Sequence, residues 1–193
     1  MPDASIVQPT RSAPALYVSR FPFYVPQVAK YEDLRGDENS LLAMTGRAWV
    51  FGDGIGCRQM LAPEHLDEPP AVASDFVMAG VDVQFSRNVV AGDFIVAGLD
   101  FAADVTHRSV PAALQALGIG AVIARSFGPF FLRHGISMGL PALVVEETAA
   151  IRSGDHLRVD IEAHIVANLS SGDRYVIRNI DEDTLVHLRR CKP

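Results

Sequence analysis

Residues 116–145 read ALGIGAVIARSFGPFFLRHGISMGLPALVV, and the order of apolar runs and chain breakers in this stretch decides the fold. Residues 121–124 (AVIA) form a short, wholly apolar run, the pattern of a strand covered on both faces. Phe127, Phe130, Phe131, His134 and Met138 then recur at helical spacing, and Gly139 with Pro141 ends the helix they define. Residues 142–145 (ALVV) supply the next strand. Just upstream, residues 111–117 (PAALQAL) start on a proline and stop before Gly118, which predicts another short helix. Buried strands alternating with helices imply right-handed crossovers and a parallel βαβ core.

The same texture extends outward. Residues 47–51 (RAWVF), closed by Gly52-Asp53-Gly54, and residues 93–97 (DFIVA), closed by Gly98, read as two further buried strands. Downstream, residues 156–162, 164–169, 174–180 and 184–188 are short alternating runs separated by turn-forming or acidic residues, which predicts a C-terminal antiparallel β meander. The N-terminal part differs: Pro2, Pro9, Pro14, Pro22 and Pro26 remove amide donors and fix φ, so residues 1–45 read as an extended Pro-rich arm and residues 46–193 as the folded domain. The arm is either a free tail or an element docked, through Tyr17, Phe21, Phe23 and Tyr24, on its own domain or on a partner subunit. The fold class is α/β.

Length and composition agree with one core: 193 residues, 49% hydrophobic and 21% charged. No apolar stretch approaches the roughly 20 residues of a membrane span, so no membrane partner is expected. With 23 acidic against 17 basic side chains the net charge is −6, and no basic cluster with interleaved aromatics offsets it, so nucleic acid is not an expected partner. Cys57 and Cys191 stand too far apart for a disulfide framework or a CxxC metal site, which points to a reducing compartment. The first thirty residues lack the continuous hydrophobic segment of a signal peptide, and the expected location is cytoplasmic.

Ligands of a parallel α/β sheet bind beyond the carboxyl ends of its strands. Two loops qualify: residues 52–63 (GDGIGCRQMLAP) and residues 98–110 (GLDFAADVTHRSV). The second feeds the helix near Pro111, whose start offers unpaired amides and a partial positive charge, with Thr106, His107, Arg108 and Ser109 around it. A carboxylate or phosphate site fits that cluster; so does a plain helix cap made by Thr106 or Ser109 beside solvated charges. The Gly52–Gly56 run lacks the third glycine and the immediate helix of a dinucleotide fingerprint, because residues 57–63 show no helical pattern. The six histidines make no metal-ligand pairing, His134 falls on an apolar face, and Cys57 has no base nearby in sequence. No metal site is expected in this chain.

Taken together, residues 116–145, residues 46–53 (GRAWVFGD), residues 92–101 (GDFIVAGLDF) and the downstream Gly154-Asp155, Ile165, Asn168 and Ser171-Gly172 resemble, in order, the small subunit of 3-isopropylmalate dehydratase, the swivelling domain of the aconitase superfamily. The likeness spans about two thirds of the chain. It implies an aconitase-type swivelling β/β/α fold and a hydro-lyase (dehydratase or isomerase) subunit that closes over a small carboxylate substrate. It also implies a [4Fe–4S] cluster on a separate large subunit, with no cofactor in this chain, whose two cysteines cannot hold one. The family's active-site loop has the form GCGSSREH, and here residues 102–109 read AADVTHRS. Val105 therefore stands at the serine the family uses as base, Thr106 keeps a hydroxyl at the next serine, and His107 stands at the substrate-binding arginine. The opening loop, DNIDTDQI in the family, reads DGIGCRQM and gains Arg58. These departures imply a diverged subunit in which Thr106, His107 and Asp104 are the candidate catalytic groups and Arg108, Ser109 and Arg58 bind substrate. The alternative is a non-catalytic binding or interaction module that lost the base. A homo-oligomer stays open.

Overall fold

The computed structural model describes residues 40–191, and the expected arm, up to its last few residues, lies outside them. Its strands are β1 (Ala43–Val50), β2 (Phe94–Ala97), β3 (Ala121–Ala124), β4 (Ala142–Val144), β5 (His156–Asp160), β6 (Ile165–Asn168) and β7 (Arg174–Val176). The helices are α1 (Cys57–Met60), α2 (Pro70–Ala73), α3 (Phe85–Asn88), α4 (Ser109–Ala116), α5 (Pro129–Ser137) and α6 (Glu182–Cys191). One seven-stranded sheet runs in the order β4-β3-β2-β1-β5-β6-β7. Its first four strands are parallel, and β1, β5, β6 and β7 pair antiparallel.

The long strand β1 makes the transition. Its residues 48–50 run beside β2 and its residues 43–47 pair with β5. Every residue of β2 and β3 is buried, as the apolar runs predict for central parallel strands. One core lies between the sheet and the helices α4 and α5, with Ile95, Phe101, Val110, Leu114, Val122 and Phe131 among its members. The other, with Phe94, Val96, Ile123, Leu157, Val159 and Tyr175, is closed by Leu185 and Leu188 of α6.

Five expectations need correction. Residues 184–188 alternate like a strand but lie in α6, because the Asp181 carboxylate accepts the Thr184 N–H at 2.9 Å, acids fill the first turn, and Leu185 and Leu188 bury one helical face. Strand β7 stops at Val176 instead of running to Ile180, since the chain turns to cover the edge of β4: Asn179 accepts the Val144 N–H and donates to the Ala142 carbonyl. Residues 57–60, read as patternless, form the one-turn α1, held by the side chains of Gln59 and, from outside the segment, Asp104. The helix after the second loop begins at Ser109 rather than Pro111, which leaves the proline at its third position, where its missing N–H still costs no helical bond. Strand β1 also begins at Ala43, so the end of the expected arm belongs to the sheet.

Candidate functional site

Three loops meet beyond the carboxyl ends of β1, β2 and β3, and main-chain bonds hold them together. Gly54 N–H donates to the Leu99 carbonyl (2.8 Å), Ala102 N–H to that of Ile55 (2.7 Å) and Phe101 N–H to that of Ser126 (3.0 Å). Gly128 N–H returns a bond to the Phe101 carbonyl (2.8 Å). Side chains complete the seam: Asp53 accepts the Leu99 N–H at 2.7 Å, and Ser126 accepts that of Asp100 at 2.7 Å. Asp100 and Ala102 both sit in the left-handed region, at φ 57° and 59°. For Ala102 that conformation costs on the order of 1 kcal/mol, which the fixed neighbours on both sides sustain.

Asp104 is part of this seam. Its carboxylate accepts the Cys57 N–H at 2.7 Å, and the Gln59 side chain accepts the Gly56 N–H at 2.8 Å; these two bonds account for α1. Burial pushes the Cys57 thiol above its usual pKa, and the neighbouring Asp104 charge pushes it further the same way, so this thiol stays protonated at neutral pH. Arg58 rides on α1, exposed.

Val105 is 1% exposed and packed into the core under α4. An isopropyl group in that place cannot take a proton. Thr106, His107 and Arg108 are exposed, and their side chains have no hydrogen bond or ion pair among the described residues. The amides of residues 106–110 likewise have no acceptor there. No side chain caps α4; Ser109 Oγ instead donates to the Leu66 carbonyl at 2.5 Å and ties the loop to the segment between α1 and α2. The plain-cap reading of Thr106 and Ser109 is thereby replaced: one side chain is free and the other is a tether. Of the six candidates, Thr106, His107 and Arg108 follow one another at the start of α4, Arg58 and Asp104 meet through α1, and Ser109 faces away toward Leu66.

Among the described residues no three His, Cys, Asp or Glu side chains gather as a metal ion needs. Cys57 lies on α1 and Cys191 at the end of α6, so the residues present do not fit an iron–sulfur cluster. An imidazole, a hydroxyl, the Arg108 guanidinium and free amides stand together at the positive end of α4, with the Arg58 guanidinium on α1.

The chain is 36% identical over 140 residues to a 3-isopropylmalate dehydratase small subunit from Nautilia profundicola, covering 72% of this chain and 84% of that one. It is 37% identical over 139 residues to 3-isopropylmalate dehydratase small subunit 1 of Archaeoglobus fulgidus, covering 71% and 86%. It belongs to the 3-isopropylmalate dehydratase small-subunit family. A crystal structure of 3-isopropylmalate dehydratase from Methanocaldococcus jannaschii superposes with a TM-score of 0.72 at 28% identity, covering 76% of this chain and 87% of that one. No protein-family model matches the chain. The α/β architecture and the dehydratase small-subunit resemblance read from residues 116–145 are thus the family's own. No described helix is long and apolar enough to cross a membrane.

Sequence reasoning passed over Arg125. It follows β3 directly and reads as an ordinary surface charge. Its amide donates to the Gly98 carbonyl (3.0 Å), which fixes the residue above the end of β2. Only the pairing of the strands reveals that Arg125, Asp53 and Gly98 share one edge.

Proposed function

We propose that the chain is the small subunit of an aconitase-type hydro-lyase, acting on a hydroxy carboxylic acid together with a separate large subunit that carries a [4Fe–4S] cluster. The observation that carries this reading is the free group of Thr106, His107, Arg108 and the amides of residues 106–110, presented at the start of α4 by a small subunit of a dehydratase family. Removing a hydroxyl and a neighbouring proton from such an acid needs a Lewis acid at the departing oxygen, a base for a weakly acidic C–H, and cations on the carboxylates. The cluster, on the partner chain, supplies the first.

This chain supplies the clamps. Arg108 and Arg58 grip carboxylate oxygens, and the amides of residues 106–110 orient them. Thr106 donates a hydrogen bond from its hydroxyl. With Val105 unable to act, the base comes from His107 or Asp104, and His107 is the better placed, because Asp104 is engaged by the Cys57 amide. The changes at Val105, His107 and Arg58 support a hydroxy acid other than the one named for the relatives. Anaerobic affinity capture of the native protein, with iron analysis and mass spectrometry of the bound chains, tests the assignment. A co-purifying iron-bearing large subunit is the expected result; an iron-free homo-oligomer overturns it.

One observation favours a second reading, a binding module that has lost catalysis: Val105 is packed in the core instead of facing the loop's solvent side. Under that reading Val105→Ser leaves every measurable property except stability unchanged.

A further inference from the structure

Strand β1 changes partners along its length. It pairs with β5 as far as Arg47 and with β2 from Ala48 onward, so beyond Arg47 its β5 side is vacated. Among the described residues the turn before β5 reaches across: the Ala48 N–H donates to the Asp155 carbonyl and the Gly154 N–H to that of Ala48, both at 2.8 Å, and Ser153 Oγ accepts the Val50 N–H at 2.8 Å. A groove of about 400 Å³ opens there, lined along β1 by Arg47, Trp49 and Phe51 and at its sides by Asp82, Ser153 and Gly154. It takes in none of Asp53, Asp104 or residues 106–109, the groups of the candidate site. Val81 and Val83, on either side of Asp82, are 41% and 68% exposed. Val90, whose amide shares the Asp93 carboxylate with Arg47, is 58% exposed. The rim is thus apolar around one carboxylate, Asp82, which accepts the Gln84 N–H at 2.9 Å and has no cation beside it among the described residues.

We propose that this groove is the docking site of residues 14–30 of the same chain (PALYVSRFPFYVPQVAK), with Phe21 and Phe23 against Trp49 and Phe51 and with Arg20 beside Asp82. Three observations carry the proposal. The first is composition: the run holds Tyr17, Phe21, Phe23 and Tyr24, two cations, Arg20 and Lys30, and no acid, in a chain whose net charge is −6. A segment so apolar needs cover from water, and an aromatic groove with a single unpaired carboxylate matches both its rings and its charge. The second is the tether. The chain enters the sheet at Ala43, so the run is joined to the very strand that floors the groove. Residues 31–39 can span roughly 30 Å, and β1 from Ala43 to Phe51 extends about 26 Å, so the link is long enough to reach. It is also short enough to hold the run near the groove at about millimolar effective concentration, which favours the chain's own segment over a second copy or a separate partner. The third is preorganisation: Pro22 and Pro26 fix φ within the run, which lowers the entropy lost when it is laid along a strand. Docking there closes the vacated side of β1.

Trp49 is the single tryptophan of the chain, so acrylamide quenching of its fluorescence in the full-length protein reads the groove directly. Replacing Phe21 and Phe23 together, Phe21→Ser with Phe23→Ser, should raise the quenching constant about twofold or more, with circular dichroism unchanged. Arg20→Gln and Asp82→Asn should each raise it by a smaller step, and the two combined by no more than the larger single step, since both break the same pair. Asp82→Asn keeps an acceptor for the Gln84 N–H, so its effect reports the charge. Quenching that is indifferent to the double serine variant in a chain of native circular dichroism overturns the proposal. So does protection of Trp49 that is lost on dilution in step with the dissociation of a dimer in sedimentation, which would put the segment on a second copy.

Discussion

The loops at the carboxyl end of the sheet are of two kinds. Residues 52–57, 98–105 and 125–128 are bound to one another through main-chain groups and through Asp53, Asp104 and Ser126. Residues 106–108, immediately following, have exposed side chains and amides with no acceptor among the described residues. The difference separates geometry from chemistry. Position is set by backbone bonds and by residues packed beneath, while the exposed side chains of residues 106–108 make no bond that would hold the fold. Departures from the family's loop forms fall in both kinds of segment, at Ala102, Ala103 and Asp104 in the bound seam as well as at Thr106, His107 and Arg108.

The comparison breaks most visibly at Phe101, which is fully buried and packs edge-on to Phe127 (5.9 Å) and Phe131 (5.5 Å) beneath the seam. Phe101→Ala should cost about 3–5 kcal/mol, read from urea unfolding, with loss of the loop's fixed chemical shifts. Next is Gly128, where a Cβ would meet the Ala102 carbonyl. Gly128→Ala should cost about 1–3 kcal/mol in the same measurement and disturb residues 102–104 before any others.

Asp93 gives a pH-dependent effect. Burial pushes its carboxyl up, but hydrogen bonds from Trp49 and from the amides of Val90 and Arg47, with the Arg47 charge beside it, outweigh burial and hold it below the usual carboxylate range. Its folded pKa is thus the lower one. The stability it contributes is complete above the ordinary Asp value of about 4 and is lost as pH falls toward the folded value. Urea midpoints should drop on acidification through that window, and Asp93→Asn should flatten the drop.

Asp104→Ala should cost about 1–2 kcal/mol through the freed Cys57 amide. The milder Asp104→Asn should quicken alkylation of Cys57 by iodoacetamide, because the charge that disfavours the thiolate is gone. Smallest of all, Thr106→Ala, His107→Ala and Arg108→Ala should each change stability by less than about 0.5 kcal/mol. A larger effect from any of the three would mean that these side chains help to hold the loop.

Much of the parallel half was legible because local and global signals coincide there: AVIA, ALVV and FIVA are apolar runs bounded by glycine or proline, and they become buried strands. At the C-terminus, Thr184-Leu185-Val186-His187-Leu188 alternates as a strand does, and the helical signal lay outside the run, in Asp181 and the acids after it. Helix α1 had only a slight local signal, Gln59 three residues after its cap Gly56, and a bond from Asp104, forty-seven residues from Cys57, completes it. The candidate loop was found from its place before a helix, although Asp104 and Ser109 turned out to bind α1 and Leu66. Arg125 was illegible for a related reason: a charged residue after a strand comes to line a cleft only when Asp53 and Gly98 are brought beside it by the strand pairing.

The most direct measurement of the central claim is the dehydration rate of the reconstituted complex, made anaerobically from this chain and the large subunit it captures, with the wild-type chain and with His107→Ala and Arg108→Ala compared on a panel of hydroxy dicarboxylates. The expected result is turnover of at least one acid that falls tenfold or more in both variants while their stability and subunit association are unchanged. Turnover that is indifferent to both substitutions, or none in a fully assembled, iron-loaded complex, would contradict it.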